Sequence, residues 1–217
     1  MLKHKLENPD GSRIDFADVS LESLGTHMLS GYVNDTSMKE AIVFILKANQ
    51  LFTEKQDLTL LLNTSGGNCY DGFALIDVME ISRLPVRTIG LGNVMSMGVL
   101  LLAAGSKGKR VMTKNTQVMA HQFYGGSEGK LHELIASHKA ELYLEQQFLN
   151  HFLKHSKMNE KQIRDIVLGP SDRWLSPAEC KKYGLVDQII NELPSFNLPA
   201  LQVSPAHALP TRRRARS

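Results

Sequence analysis

The stretch Gly92-Asn93-Val94-Met95-Ser96-Met97-Gly98 joins an apolar run that reads as a strand, residues 86–91, to an apolar run that reads as a helix, residues 97–104. A serine at such a junction is ordinarily only an N-cap. Here two other segments give it possible partners. His121 closes the short apolar run Gln117-Val118-Met119-Ala120, and Asp172 stands in Pro170-Ser171-Asp172-Arg173-Trp174-Leu175-Ser176. A serine hydroxyl is a poor nucleophile until an imidazole takes its proton and a carboxylate fixes the imidazole tautomer. Upstream, Asn63-Thr64-Ser65-Gly66-Gly67-Asn68 follows another apolar run, and a glycine pair there can turn backbone N–H groups toward a developing oxyanion. The start of a helix beneath Ser96 adds partial positive charge at the same place.

Working outward from that stretch, strand and helix patterns alternate. A short strand and turn is expected around Met28 to Val33. A helix of about four turns then follows caps at Asp35, Thr36 and Ser37, with Ala41, Ile42, Phe44, Ile45 and Leu46 as its buried stripe. Residues 57–62 are short and apolar enough for a buried strand, and residues 71–82 carry a second helix. Strand–helix–strand alternation at this spacing implies parallel pairing through right-handed crossovers. Gly105 stops the helix after Ser96, and residues 110–112 and 117–120 read as two further strands. The character changes after His121. Gly125, Gly126 and Gly129 precede a long amphipathic helix over 130–155, in which Leu131, Leu134, Ile135, Leu142, Leu149, Phe152 and Leu153 recur at helical spacing. Asn159 with Gln162 begins another helix, ending near Val167, and Ser176-Pro177 begins a third, closed by Gly184. Residues 185–190 return as a strand.

Composition narrows the classes. A chain of 217 residues with 42% hydrophobic content can build one sizeable core. Two cysteines, Cys69 and Cys180, make no disulfide framework and fit a reducing cytoplasmic compartment. The start of the chain lacks the apolar run of a signal peptide, and no apolar stretch is long enough to span a bilayer. The net charge of +3 comes from Arg212, Arg213, Arg214 and Arg216, so the body is near neutral and no nucleic-acid face is expected. Gly105-Ser106-Lys107-Gly108-Lys109 lacks the full phosphate-loop spacing and opens no helix. His151 and His155 lie four apart on the long helix, but nothing at a suggestive spacing completes a metal site, and surface positions are the simpler expectation. Neither metal nor organic cofactor is expected.

Gly66-Gly67, Met95-Ser96-Met97-Gly98, Val118-Met119-Ala120-His121-Gln122 and Asp172-Arg173-Trp174-Leu175-Ser176 resemble the signature segments of the Clp protease proteolytic subunit family. The resemblance runs from about residue 26 to residue 190 and includes the distances between motifs. It implies an α/β fold, a spiral of ββα units shared with the crotonases, with a protruding helical handle. It further implies that Ser96 is the nucleophile, His121 the general base, Asp172 its orienter, and the N–H groups of Gly67 and Met97 the oxyanion hole. The corresponding division is an N-terminal segment (1–25), a catalytic head (26–124 and 170–191), an inserted handle (125–169) and a loose basic tail (192–217). Implied partners are peptide or unfolded-protein substrates, further copies of the chain in stacked heptameric rings, and an AAA+ unfoldase.

The chain departs from the family pattern at three places: Thr64-Ser65 precedes the glycine pair in place of Ser-Pro, Phe123 replaces a proline, and Ser171 replaces a charged residue. Two other classes compete with an active peptidase. A non-catalytic ring subunit would usually lack one triad member, whereas all three are present. An acyl-CoA enzyme of the crotonase type would need neither Ser96 nor His121, and no CoA-specific signal is visible.

Overall fold

A computed structural model of the chain describes residues 19–52 and 56–192; the expectations for most of the N-terminal segment and for the tail beyond residue 192 lie outside the described residues. In chain order the elements are β1 (Thr26–Val33), α1 (Asp35–Leu51), β2 (Leu58–Gly67), α2 (Cys69–Ile81), β3 (Val86–Met95), α3 (Met97–Ala103), β4 (Arg110–Thr113), β5 (Gln117–Ala120), α4 (Leu131–His155), α5 (Glu160–Ile166), β6 (Arg173–Leu175), α6 (Pro177–Tyr183) and β7 (Gln188–Ile190). Parallel pairing runs β1-β2-β3-β4-β7, and β5 leaves this path to pair with β3 and β6.

The alternating apolar pattern of β2 buries Leu58, Leu60 and Leu62, and β3 adds Val86, Ile89 and Val94. On these strands lies α3, buried from Met97 through Ala103, so its lack of any polar face reflects a fully enclosed helix. Close approach of α2 to α3 requires Gly72, where a Cβ would stand 2.4 Å from Met97 Cγ.

The expected elements are present, with differences that have local causes. Helix α1 is capped by Asn34, whose side chain accepts from Ser37 N, so Asp35 to Ser37 form its first turn and not its cap. Helix α2 starts at Cys69, two residues earlier than the apolar pattern suggests, because Asn68 Oδ1 accepts from the N–H groups of Tyr70 and Asp71. Strand β2 continues through Gly66-Gly67, held by pairing with β1, beyond the 57–62 stretch that the sequence suggests. Strand β6 was not expected at all.

Helix α4 divides its apolar stripe. Leu149 and Phe152 join Leu144, Phe148 and His151 in the core, while Leu131, Leu134, Ile135, Leu142 and Leu153 remain exposed. Phe148 anchors the buried half, edge-on to Phe73 at 5.5 Å and tilted against Phe123 at 5.5 Å. His151 corrects the surface expectation: it is buried against Phe73 and Phe152, and its Nε2 has no hydrogen-bond partner. Burial drives its pKa down to about 3, helped by the neighbouring His155, so it is neutral in the folded protein. His155 bonds Glu80 at 2.8 Å.

One buried ion pair locks the far end of the sheet. Arg110 Nη2 lies 2.6 Å from Asp187 Oδ1, and Arg110 Nε and its backbone N–H each donate to Oδ2 at 3.0 Å. Arg110 Nη1 donates to the carbonyl oxygens of Ala103 and His155, so one guanidinium joins β4, the approach to β7, and the ends of α3 and α4. Burial works against ionisation of Asp187, but the Arg110 hydrogen bonds outweigh it and hold the carboxyl below its ordinary value. Asp187→Asn should destabilise the fold by about 3 kcal/mol, because it leaves a buried guanidinium without its counter-charge. With its folded pKa depressed, the carboxylate's contribution is present above the unfolded value. The gap between wild type and Asp187→Asn should therefore close as pH falls below about 4. Urea unfolding of both proteins across that range checks this; a gap independent of pH would contradict it.

Candidate active site

Strand β3 brings Ser96 to the site and leaves it strained. Its lower half pairs with β4 (Thr88 to Gly90) and its upper half with β5 (Asn93 to Met95). Ser96 N–H donates to Met119 O at 2.8 Å, which extends the β5 pairing by one bond before α3 begins. At that point the chain must turn sharply. Ser96 has φ 51° and ψ −123°, and is the one non-glycine residue with positive φ among the described residues. Such a conformation costs about 1–3 kcal/mol and survives only where surrounding structure enforces it. The side chain makes no capping hydrogen bond, so the N-cap explanation of this serine does not hold.

The Ser96 hydroxyl instead lies 2.9 Å from His121 Nε2. His121 follows β5 directly. Strand β5 runs antiparallel to β6, with Val118 opposite Leu175 and Ala120 opposite Arg173. One further step in that register sets Asp172 across from His121, on the same face as a cross-strand pair. Asp172 Oδ1 then stands 3.9 Å from His121 Nδ1, and the aspartate side chain is 62% exposed. That separation gives an electrostatic contact but is too long for a hydrogen bond. Gln122 N–H donates to Gly169 O at 3.1 Å, tying the exit from β5 to the segment that leads into Asp172.

The glycine pair faces the serine from β2. A Cβ on Gly66 would fall 2.6 Å from Ser96 Cβ, 2.7 Å from Met95 O and 3.0 Å from Met97 N. A Cβ on Gly67 would fall 2.2 Å from Val33 O. With φ at +84° and +149°, both positions also favour glycine by conformation. Thr64 braces this end of β2: its buried hydroxyl donates to Gly31 O at 2.5 Å and accepts from Gly66 N at 3.1 Å. Met97 is the first residue of α3, where a backbone N–H has no acceptor within the helix. Gly66 thus approaches Ser96 and Met97 N from β2, and Gly67 lines the groove beside Ser96.

A groove of about 730 Å³ opens over Ser96 and His121. Its walls include Tyr32, Cys69, Tyr70, Met119, Phe123, Tyr124, Glu141 and Leu144, so β1, α2 and α4 all contribute. Burial pushes the Cys69 thiol up, which keeps it protonated at neutral pH and a poor rival to Ser96. Thr64, Glu141 and strand β6 were missed by sequence reasoning; only the antiparallel register, which needs the fold, reveals why Asp172 meets His121. Gly66→Ala should cut reaction of Ser96 with a fluorophosphonate by at least about 100-fold, since the new methyl group must displace Ser96 or the backbone at Met95 and Met97. Far-ultraviolet circular dichroism should stay close to wild type; unchanged labelling would contradict the close approach.

Comparison with known proteins identifies the family. Residues 20–193 match the Clp protease family. The ATP-dependent Clp protease proteolytic subunit of Deinococcus radiodurans is 36% identical over 159 residues, covering 73% of this chain and 76% of the relative. The ATP-dependent Clp protease proteolytic subunit 2 of Thermobifida fusca is 34% identical over 140 residues, 64% of this chain and 68% of the relative. With its α/β sheet, its glycine-flanked serine and a match over most of its length, the chain is a member of the Clp protease family.

Proposed function

We propose that this chain is the proteolytic subunit of an ATP-dependent serine endopeptidase, hydrolysing peptides and unfolded proteins, with Ser96, His121 and Asp172 as its triad. The observation that carries this reading is the 2.9 Å approach of a conformationally strained Ser96 to His121 Nε2. With Nδ1 protonated, His121 Nε2 accepts the hydroxyl proton as Ser96 Oγ attacks the scissile carbonyl carbon. The oxyanion is held by the N–H groups of Gly67 and Met97. His121 then passes its proton to the leaving amine, the C–N bond breaks, and an acyl ester remains on Ser96. Water attacks that ester, again giving its proton to His121, and the acid product leaves as the proton returns to Ser96.

Asp172 must shorten its 3.9 Å separation by about 1 Å to hydrogen-bond His121 Nδ1–H. While it is exposed, water competes for its oxygens. The subunit alone is therefore expected to be slow, and ordering of residues around 169–172 by a neighbouring copy would raise the rate. Ser96→Ala should abolish hydrolysis of a short fluorogenic peptide. Asp172→Asn should lower kcat by up to about 10,000-fold through the wrong imidazole tautomer. Wild-type turnover in purified Ser96→Ala would overturn the assignment.

Assembly follows from the exposed half of α4. We assign residues 125–169 as a handle that packs against its counterpart in a second ring, each ring heptameric. Leu131, Leu134, Ile135 and Leu142 lie on one exposed stretch of this helix, and fully burying such a side chain stabilises by about 1.5–3 kcal/mol. Leu149 belongs to the head core and cannot serve this contact. An AAA+ unfoldase would supply unfolded chains, and ATP acts only through it. Among the described residues no helix is long and apolar enough to cross a membrane, in keeping with a cytoplasmic site of action. Ile135→Glu with Leu142→Glu should give species smaller than wild type in analytical ultracentrifugation, with at least about tenfold less peptidase activity. A fully active monomer would contradict this.

A further inference from the structure

The groove over Ser96 carries an electrostatic pattern that general peptide hydrolysis does not require. Three tyrosines line it, Tyr32, Tyr70 and Tyr124, with residue exposure rising to 91% at Tyr124. Exposed aromatic rings of this size are costly unless something stacks on them. Helix α4 contributes Glu141, the one carboxylate in the described lining, which contains neither lysine nor arginine. Glu141 has a solvated neighbour in His138, 3.7 Å away on the same exposed side of α4, and among the described residues no buried counter-charge neutralises it. A carboxylate among aromatic faces suits a cation with an apolar stem. The head pairs with the carboxylate in a charge-assisted hydrogen bond, and the stem or guanidinium plane lies over a ring.

We propose that Glu141 is a specificity-determining residue, and that the groove favours peptides with a lysine or arginine side chain seated against Glu141 and the neighbouring tyrosines. The proposal rests on the peptidase reading above and names the substrate class of that same groove. Glu141 takes no part in proton transfer. Its effect is on which chain is held over Ser96, so it acts on kcat/KM ratios between substrates and not on the chemistry they share.

The test scans fluorogenic peptides in which arginine, norleucine or glutamate is placed in turn at each position from three before to two after the scissile bond. Wild type should prefer arginine to norleucine by about tenfold at one position, the scale of a single charge-assisted contact. Glu141→Gln should bring that ratio to within about twofold, chiefly by loss on the arginine peptide, and Glu141→Lys should favour glutamate at the same position. Tyr124→Ala should weaken the arginine preference without reversing it. Wild type that cleaves norleucine peptides with no arginine preference at any position overturns the proposal and leaves the peptidase reading standing. So does a preference that survives in Glu141→Gln. Wild type that cleaves none of the peptides and fails to label with a fluorophosphonate overturns both.

Discussion

The fork in β3 is the constraint on which the site depends. A ten-residue strand cannot pair along one edge with two partners over the same stretch, so it gives Thr88 to Gly90 to β4 and Asn93 to Met95 to β5. Between them Gly92 adopts φ 59°, a left-handed conformation that lets the strand bend from one partner to the other. Every later feature of the site hangs on that bend. Strand β5 delivers His121 next to the end of β3, and β6, running back along β5, returns Asp172 to the same place. The turn at Ser96 is what remains when β3 stays paired with β5 to its last residue and α3 must then start at once.

The strain in Ser96 has a counterpart in the glycines. A positive φ at a serine aims its side chain out of the strand-to-helix turn, which only works if nothing stands opposite. Gly66 supplies that gap, since even a methyl group would come within 2.6 Å of Ser96 Cβ. Gly98, inside α3, does the same for packing beneath it: a Cβ there would meet Thr64 Cγ2 at 2.6 Å. Thr64 therefore serves both sides, filling the space under α3 with its methyl group and fixing Gly66 with its hydroxyl. The cost of the turn is offset by the fully buried α3 and the sheet it covers, a rigid support in which small adjustments are resisted.

Much of this was legible in the chain. Apolar runs bounded by glycine and proline located the strands, and cap residues such as Asn159 and Ser176 located helix starts, because those signals act over a few residues. What failed were properties set by distant pairing. Three-residue β6 has no period of its own and forms only because β5 is there to pair with it. The serine's φ cannot be read from its neighbours. The stripe on α4 looked continuous because helical spacing reports which residues share a face, not which part of that face meets the core. Leu149 and Leu142 are equivalent in the pattern and opposite in burial. His151 looked polar and exposed for the same reason, and the aromatic rings that enclose it come from α2 and from its own helix.

Helix α4 links assembly to the site physically. Its buried half is fixed to the head through Phe148 and Phe152, while Glu141 and Leu144, on the turns just before, form part of the groove wall. Residues 131–142, ahead of that anchor, carry the exposed leucines and isoleucine. A helix of 25 residues is about 37 Å long, and a rod held at one end samples a range of tilts at the other. Packing a second copy on the free half would remove that freedom and set the width of the groove at Glu141. Phe123, which touches Phe148 and follows His121 by two residues, carries the same restraint toward His121. Association would thus act on two distances at once, the width of the groove at Glu141 and the 3.9 Å gap between His121 and Asp172. Ordering of the helix reaches His121 through Phe123, and on the proposed triad a subunit on its own keeps Asp172 apart from His121.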